Sequence, residues 1–123
     1  MMRSVKLLAV AVAFAAGATH AHGQEATERY IPIGQSPGLS GKSTVIGSIA
    51  DYNAQTRQLA VAATAGTRRI TVAENTRIWL DRSRSQASAA AGAVADLQPG
   101  RRVEVRWDPK RPDTAAWIKI EVP

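Results

Sequence analysis

Few residues of this chain have the types that carry covalent chemistry. There is no cysteine, and the two histidines are His20 and His22. Histidine-assisted nucleophiles, thiol catalysis and cysteine metal sites are therefore ruled out over residues 24–123. A carboxylate pair would be the remaining catalytic device. Asp81, Glu104 and Asp108 fall at strand ends or on outward strand positions, where acidic residues ordinarily sit. Ser36-Pro37-Gly38-Leu39-Ser40-Gly41-Lys42-Ser43 has the tail of a phosphate-binding loop. That loop needs a glycine where Ser36 stands and a helix after Lys42-Ser43, and Thr44 onward reads as strand. The segment is expected to be a run of turns. His22 as a mature amino terminus would chelate copper through its amine and ring, but a strong site wants a further imidazole. Copper binding is thus a remote alternative, and the expectation is no catalytic residue, no metal and no cofactor.

Aromatic and basic residues offer a different chemistry. Arg77, Trp79 and Asp81 alternate with Ile78 and Leu80. Arg102, Glu104 and Arg106 alternate with Val103 and Val105, and Trp117, Lys119 and Glu121 alternate with Ile118 and Ile120. Such alternation puts one set inside a sheet and the other outside. Trp79 and Trp117 with Arg77, Arg106 and Lys119 around them form a candidate ligand face, able to stack a sugar, a base or a peptide side chain. The competing account covers both rings with an apolar arm.

The elements that position these residues follow from the pattern along the chain. Met1–Lys6 carries two positive charges, Leu7–Ala16 is an apolar run too short to span a bilayer, and small residues follow. Residues 1–23 read as a signal peptide cleaved near Ala21 or Gly23, so the mature chain is expected in the periplasm or secreted, with no transmembrane span. The 16 basic residues less Arg3 and Lys6 leave 14 against 10 acidic ones, a net of +4. This mild excess favours acidic partners in a general way. Gln24–Arg29 is polar and reads as disordered. Residues 24–42 as a whole form an N-terminal arm, extended apart from turns at Ser36-Pro37-Gly38. Tyr30, Ile31, Ile33 and Leu39 make this arm too apolar for a free linker and give it a candidate partner-binding surface.

Residues 43–123 form the folded domain. Thr44–Tyr52, Arg57–Ala63 and an interrupted strand over Arg68–Val72 and Thr76–Asp81 make a meander. A short helix is expected within Ser85–Leu97, because the stretch is alanine-rich with Ala90, Val94 and Leu97 on one stripe. Gly92 weakens it, and Gln98-Pro99-Gly100 ends it. Arg102–Trp107 and Ala115–Val122 are the last two strands, joined by a loop over Asp108–Asp113. The inward set is Leu59, Val61, Ile70, Val72, Ile78, Leu80, Val103, Val105, Ile118 and Ile120, with Ala116 and Val122 also inward. Three meander strands, a helix and two strands is the order of the OB-fold. The expected fold is all-β: a small five-stranded OB-like Greek-key barrel with one short helix between strands three and four.

Several segments resemble a family of bacterial exported proteins, a domain of unknown function with an OB-like barrel. They are Val45-Ile46-Gly47-Ser48-Ile49, Gln58-Leu59-Ala60-Val61, Thr76-Arg77-Ile78, the series Asp96, Leu97, Gly100, Val103 and Val105, and a last strand ending Ile118-Lys119-Ile120. The likeness spans about residues 43–122 and implies the barrel but no catalytic residue. The function expected is a non-catalytic binding or scaffolding module with a protein or peptide partner. The alternative is an anionic or saccharide cell-envelope polymer on the Trp/Arg face. Nucleic acid is not expected for an exported chain.

Overall fold

The computed structural model describes residues 27–123. The expected signal peptide, with His20 and His22, lies outside the described residues. Seven strands form one sheet: β1 (Thr44–Asn53), β2 (Gln58–Ala63), β3 (Gly66–Thr71), β4 (Arg77–Asp81), β5 (Ala90–Ala91), β6 (Arg102–Asp108) and β7 (Arg111–Glu121). β1, β2 and β3 form the antiparallel meander. β6 pairs with β1 on one side and with β7 on the other. β7 then runs parallel to β4 and touches β3 at Thr71 and Thr114. That last pairing closes the sheet on itself, so the fold is a small all-β, OB-like barrel of five strands with β3 and β4 as two halves of the third. Among the described residues, no helix is long and apolar enough to cross a membrane.

The barrel interior is aliphatic. Leu59, Val61, Ile70, Val72, Val103, Val105, Ile118 and Ile120 are buried in one cluster with Ile49, Leu97 and Ala115. Ile78 and Leu80 pack against it half-buried, because they lie where β4 faces the segment after it. Arg68 follows the inward phase of β3, its guanidinium lies 3.8 Å from the centre of the Trp107 ring, and its Nη2 donates to the Pro112 carbonyl at 2.9 Å.

Three local expectations are corrected. The helix within Ser85–Leu97 is absent. Single 3₁₀ turns at Ser83–Ser85 and Val94–Asp96 flank the two-residue β5, which pairs with Trp79 and Leu80. An isolated helix of that length is marginal in water. Here the alanines instead satisfy the edge of β4, and the Gly92 N–H donates to the Ile78 carbonyl at 2.9 Å. A Cβ at Gly92 would lie 2.9 Å from Ile78 Cγ2, so the glycine read as a helix weakener is what lets the segment lie flat on the strand.

The second correction concerns β7. The register shifts between Arg106 and Trp107 set Trp107 opposite Ala115 and Arg106 opposite Trp117, so Ala116 is an extra residue. Ala115, not Ala116, is therefore in the core. The same hairpin is longer than expected, with β6 and β7 enclosing only Pro109 and Lys110. Thirdly, the arm is docked as expected but is not extended. Gly34, Gly38 and Gly41 take left-handed φ values of 84°, 76° and 79°, and Leu39, Ser40, Lys42 and Ser43 close successive turns by backbone hydrogen bonds.

Gly47 is the tightest backbone approach. A Cβ there would meet the Ala62 carbonyl oxygen at 2.2 Å, at the point where β1 serves both β2 and β6. Gly47→Ala is expected to destabilise the barrel by about 1–3 kcal/mol, and Ile118→Ala by about 2–4 kcal/mol. Denaturant unfolding followed by dichroism measures both. A loss well under these ranges at Ile118 would place β7 on the wrong face.

Candidate functional site

Strand register assembles the expected face in three rows across the outside of β4, β7, β6 and β1. One row runs Arg77, Trp117, Arg106, Thr44. The next runs Trp79, Lys119, Glu104, Ile46. In the third, Asp81 pairs with Glu121. All five residues named from the sequence, Arg77, Trp79, Arg106, Trp117 and Lys119, therefore share one surface. The two indoles lie with ring centres 5.8 Å apart and planes tilted by 36°.

Its aromatic and lysine part is covered, while Arg77 is exposed and Arg106 half-buried. Trp79 and Trp117 are 7% and 5% exposed, and Lys119 is 1% exposed. Glu104, an outward residue by alternation, is fully buried. The cover is the arm. The Ile33 N–H donates to Asp81 Oδ2 at 2.9 Å, and the Gly34 N–H donates to Glu104 Oε1 at 3.1 Å. Thr44 Oγ1 donates to Glu104 Oε2 at 2.9 Å and accepts from the Gly41 N–H at 3.0 Å. Lys119 Nζ donates to Glu28 Oε1 at 2.9 Å and to Ser36 Oγ at 3.1 Å, and stands 4.5 Å from the centre of the Trp117 ring. The Ser36 hydroxyl in turn donates to Glu28. Ile33 is buried, Ile31 and Leu39 are half-buried, and Tyr30 is exposed with the Arg29 guanidinium over its ring.

The electrostatics follow from these contacts. A lysine with 1% of its side chain exposed needs an anion and hydrogen-bond acceptors, and Glu28 and Ser36 supply them. For Asp81, burial pushes the carboxyl up. The Ile33 N–H, the Ser83 hydroxyl and N–H, and the Lys119 charge outweigh it and hold the carboxyl below its ordinary value of 3.8. Glu28 thus pairs with the Lys119 ammonium under the arm, with Asp81 nearby and Glu104 opposite Lys119 across the β6–β7 pairing.

Ser36 and Lys119 have the spacing of a nucleophile and its base, but not the hydrogen-bond direction. Lys119 donates to the serine, and the serine proton is committed to Glu28. Both side chains are buried. The arrangement fastens the arm to the sheet. A cleft of about 140 Å³ opens beside it between Arg29–Pro32 and Ser83–Ala89, with Asp81 on its lining. Among the described residues, no group of three or more histidines, cysteines, aspartates or glutamates stands together as a metal site.

Sequence reasoning missed four members of this network. In the sequence Glu28 reads as part of a disordered tail, Glu104 as solvent-facing, Ser36 as a turn residue, and Thr44 as the first residue of a strand. Glu104 and Lys119, opposite charges on outward phases, were the available signal. No family model, curated protein or solved structure matches the chain.

Asp81 gives this network a pH signature. A carboxyl held below its unfolded value of 3.8 adds stability that is fully present above that pH and lost as pH falls through the lowered folded value. Asp81→Asn is expected to remove this part of the acid dependence. Stability against pH between 2 and about 5, measured by thermal melts of both proteins, checks it; identical slopes would show that Asp81 does not hold the arm through its charge.

Proposed function

We propose that the chain is a non-catalytic binding module of the cell envelope whose outer β4–β7–β6 face holds polypeptide. The observation that carries this reading is the capture of a chain segment by its main chain. Asp81 and Glu104 take successive backbone N–H groups, those of Ile33 and Gly34, beside a buried indole pair. Main-chain recognition tolerates varied side chains and suits a peptide partner. Lys119 adds a preference for an acidic side chain on the bound segment, as Glu28 illustrates. The resemblance to an exported barrel family and the reading of residues 1–23 as a signal peptide support the location.

The second reading is an anionic or saccharide polymer. It draws on the row in which Arg77 and Arg106 flank Trp117, and it needs the arm displaced.

A labelled peptide of residues 27–43 added to the Gly34→Pro variant separates the two. Proline removes the N–H that Glu104 accepts and cannot take the positive φ of Gly34, so the arm is unseated. The variant is expected to bind the peptide at least tenfold more tightly than the parent, where the tethered arm competes at roughly millimolar effective concentration. Fluorescence anisotropy reads this. Salt-sensitive binding of dextran sulfate with no peptide binding would favour the polymer reading.

A further inference from the structure

We propose that the arm is an acid-released latch: it is fastened through carboxylates over a barrel whose core has no ionisable group, so lowering pH lifts the arm and uncovers Trp79, Trp117 and Lys119 while the barrel stays folded. This rests on the same face as the reading above but not on what that face binds.

The charged fastenings of the arm to the barrel face run through carboxylates, and the neutral ones are the Lys119–Ser36 hydrogen bond and those of Thr44 with Gly41 and Leu39. Asp81 on β4 takes the Ile33 N–H, Glu104 on β6 takes the Gly34 N–H and the Thr44 hydroxyl, and Glu28 on the arm takes the Lys119 ammonium and the Ser36 hydroxyl. The other charges near them come from the arm and from β4, β6 and β7: Arg77 and Arg106 flank Trp117 in the neighbouring row, and Arg102 lies beside Gly34. Arg29 on the arm lines the cleft with Asp81. Glu121 on β7, opposite Asp81, pairs with Arg84 and with Arg102 on β6. Protonating Glu28 leaves Lys119 as a buried cation without its anion, and protonating Asp81 or Glu104 weakens charge-assisted bonds to backbone donors. An open arm returns the Lys119 charge to water.

The barrel has no matching sensitivity. Its core cluster, from Ile49 and Leu59 through Val105 to Ile118 and Ile120, contains only apolar side chains. The sheet ladders are backbone bonds, indifferent to acid. Opening as the Asp81 carboxyl, held below its ordinary value of 3.8, takes up its proton is therefore local to the arm.

The experiment uses the full chain in a Trp107→Phe background, so that emission comes from Trp79 and Trp117. Emission maximum and acrylamide quenching follow the arm, and far-ultraviolet dichroism follows the barrel, across the same pH series. The expected result is a reversible red shift with a severalfold rise in quenching in acid, at a pH where dichroism is unchanged. Glu28→Gln, which strands the Lys119 charge, is expected to show the open spectrum already at neutral pH. Glu28→Gln with Lys119→Met, which makes the pair neutral, is expected to close again at neutral pH and to open at a lower pH than the parent. Coincident fluorescence and dichroism transitions would overturn the latch. A Glu28→Gln protein with parental emission at neutral pH would overturn it too. None of these readouts involves a ligand, so a failure of the peptide reading leaves them unaffected.

Discussion

Lys119 is the constraint around which the outer surface of this barrel is arranged. Alternation along β7 aims it away from the core, yet it is 1% exposed. A buried ammonium is tolerated only with an anion and acceptors at bonding distance. Glu28 and Ser36 provide both, and both belong to the arm. Seating the arm to serve Lys119 then places the Ile33 and Gly34 N–H groups on Asp81 and Glu104. The two indoles are buried in the same arrangement, with Lys119 itself above Trp117. Charge, main-chain capture and aromatic burial are therefore one cooperative unit.

The molecule has two regions of different physical character. Inside the barrel, burial is aliphatic and insensitive to pH or salt. Outside, between arm and sheet, burial joins two indoles and Ile33 to a polar network of three carboxylates and one cation. The second region is the weaker and the more conditional, because removing any one partner leaves another buried without compensation. A surface that is stable only while its charges are matched is suited to exchanging its occupant, which is why the arm-covered face is the part of this protein to connect with function.

The bulge at Ala116 links the two regions. Counting back from the Pro109–Lys110 turn would set Glu104 opposite Ala115. The register shifts place it opposite Lys119 instead and bring Trp117 between Arg77 and Arg106. The pairing moves by four residues in all: three on β7 between Asp108 and Trp107, and the single residue Ala116 between Trp107 and Arg106, which keeps Ala115, Ile118 and Ile120 all inward. The Gly92 contact does comparable work after β4. It lets an alanine-rich segment with helix-forming composition lie along a strand edge, so tertiary pairing overrides local propensity there.

The sequence by itself determined the inward residues Leu59, Val61, Ile70, Val72, Val103, Val105, Ile118 and Ile120, the order of the five barrel strands and the need of the apolar arm for cover. These follow from the two-residue period of a strand and from the positions of glycine and proline, which are local properties. It also put Arg77, Trp79, Arg106, Trp117 and Lys119 on outward phases, and register then joined them. Only the tertiary structure decided that this outward face is buried, that Glu104 and Lys119 are interior charges, and that Ser85–Leu97 is not a helix. The reason is distance along the chain. Glu28 and Lys119 are 91 residues apart, and Gly34 and Glu104 are 70 apart. No pattern within a strand records which remote segment will lie over it, and a bulge that shifts register leaves no periodic trace. An outward lysine looks the same in sequence whether water or a glutamate from the far end of the chain awaits it.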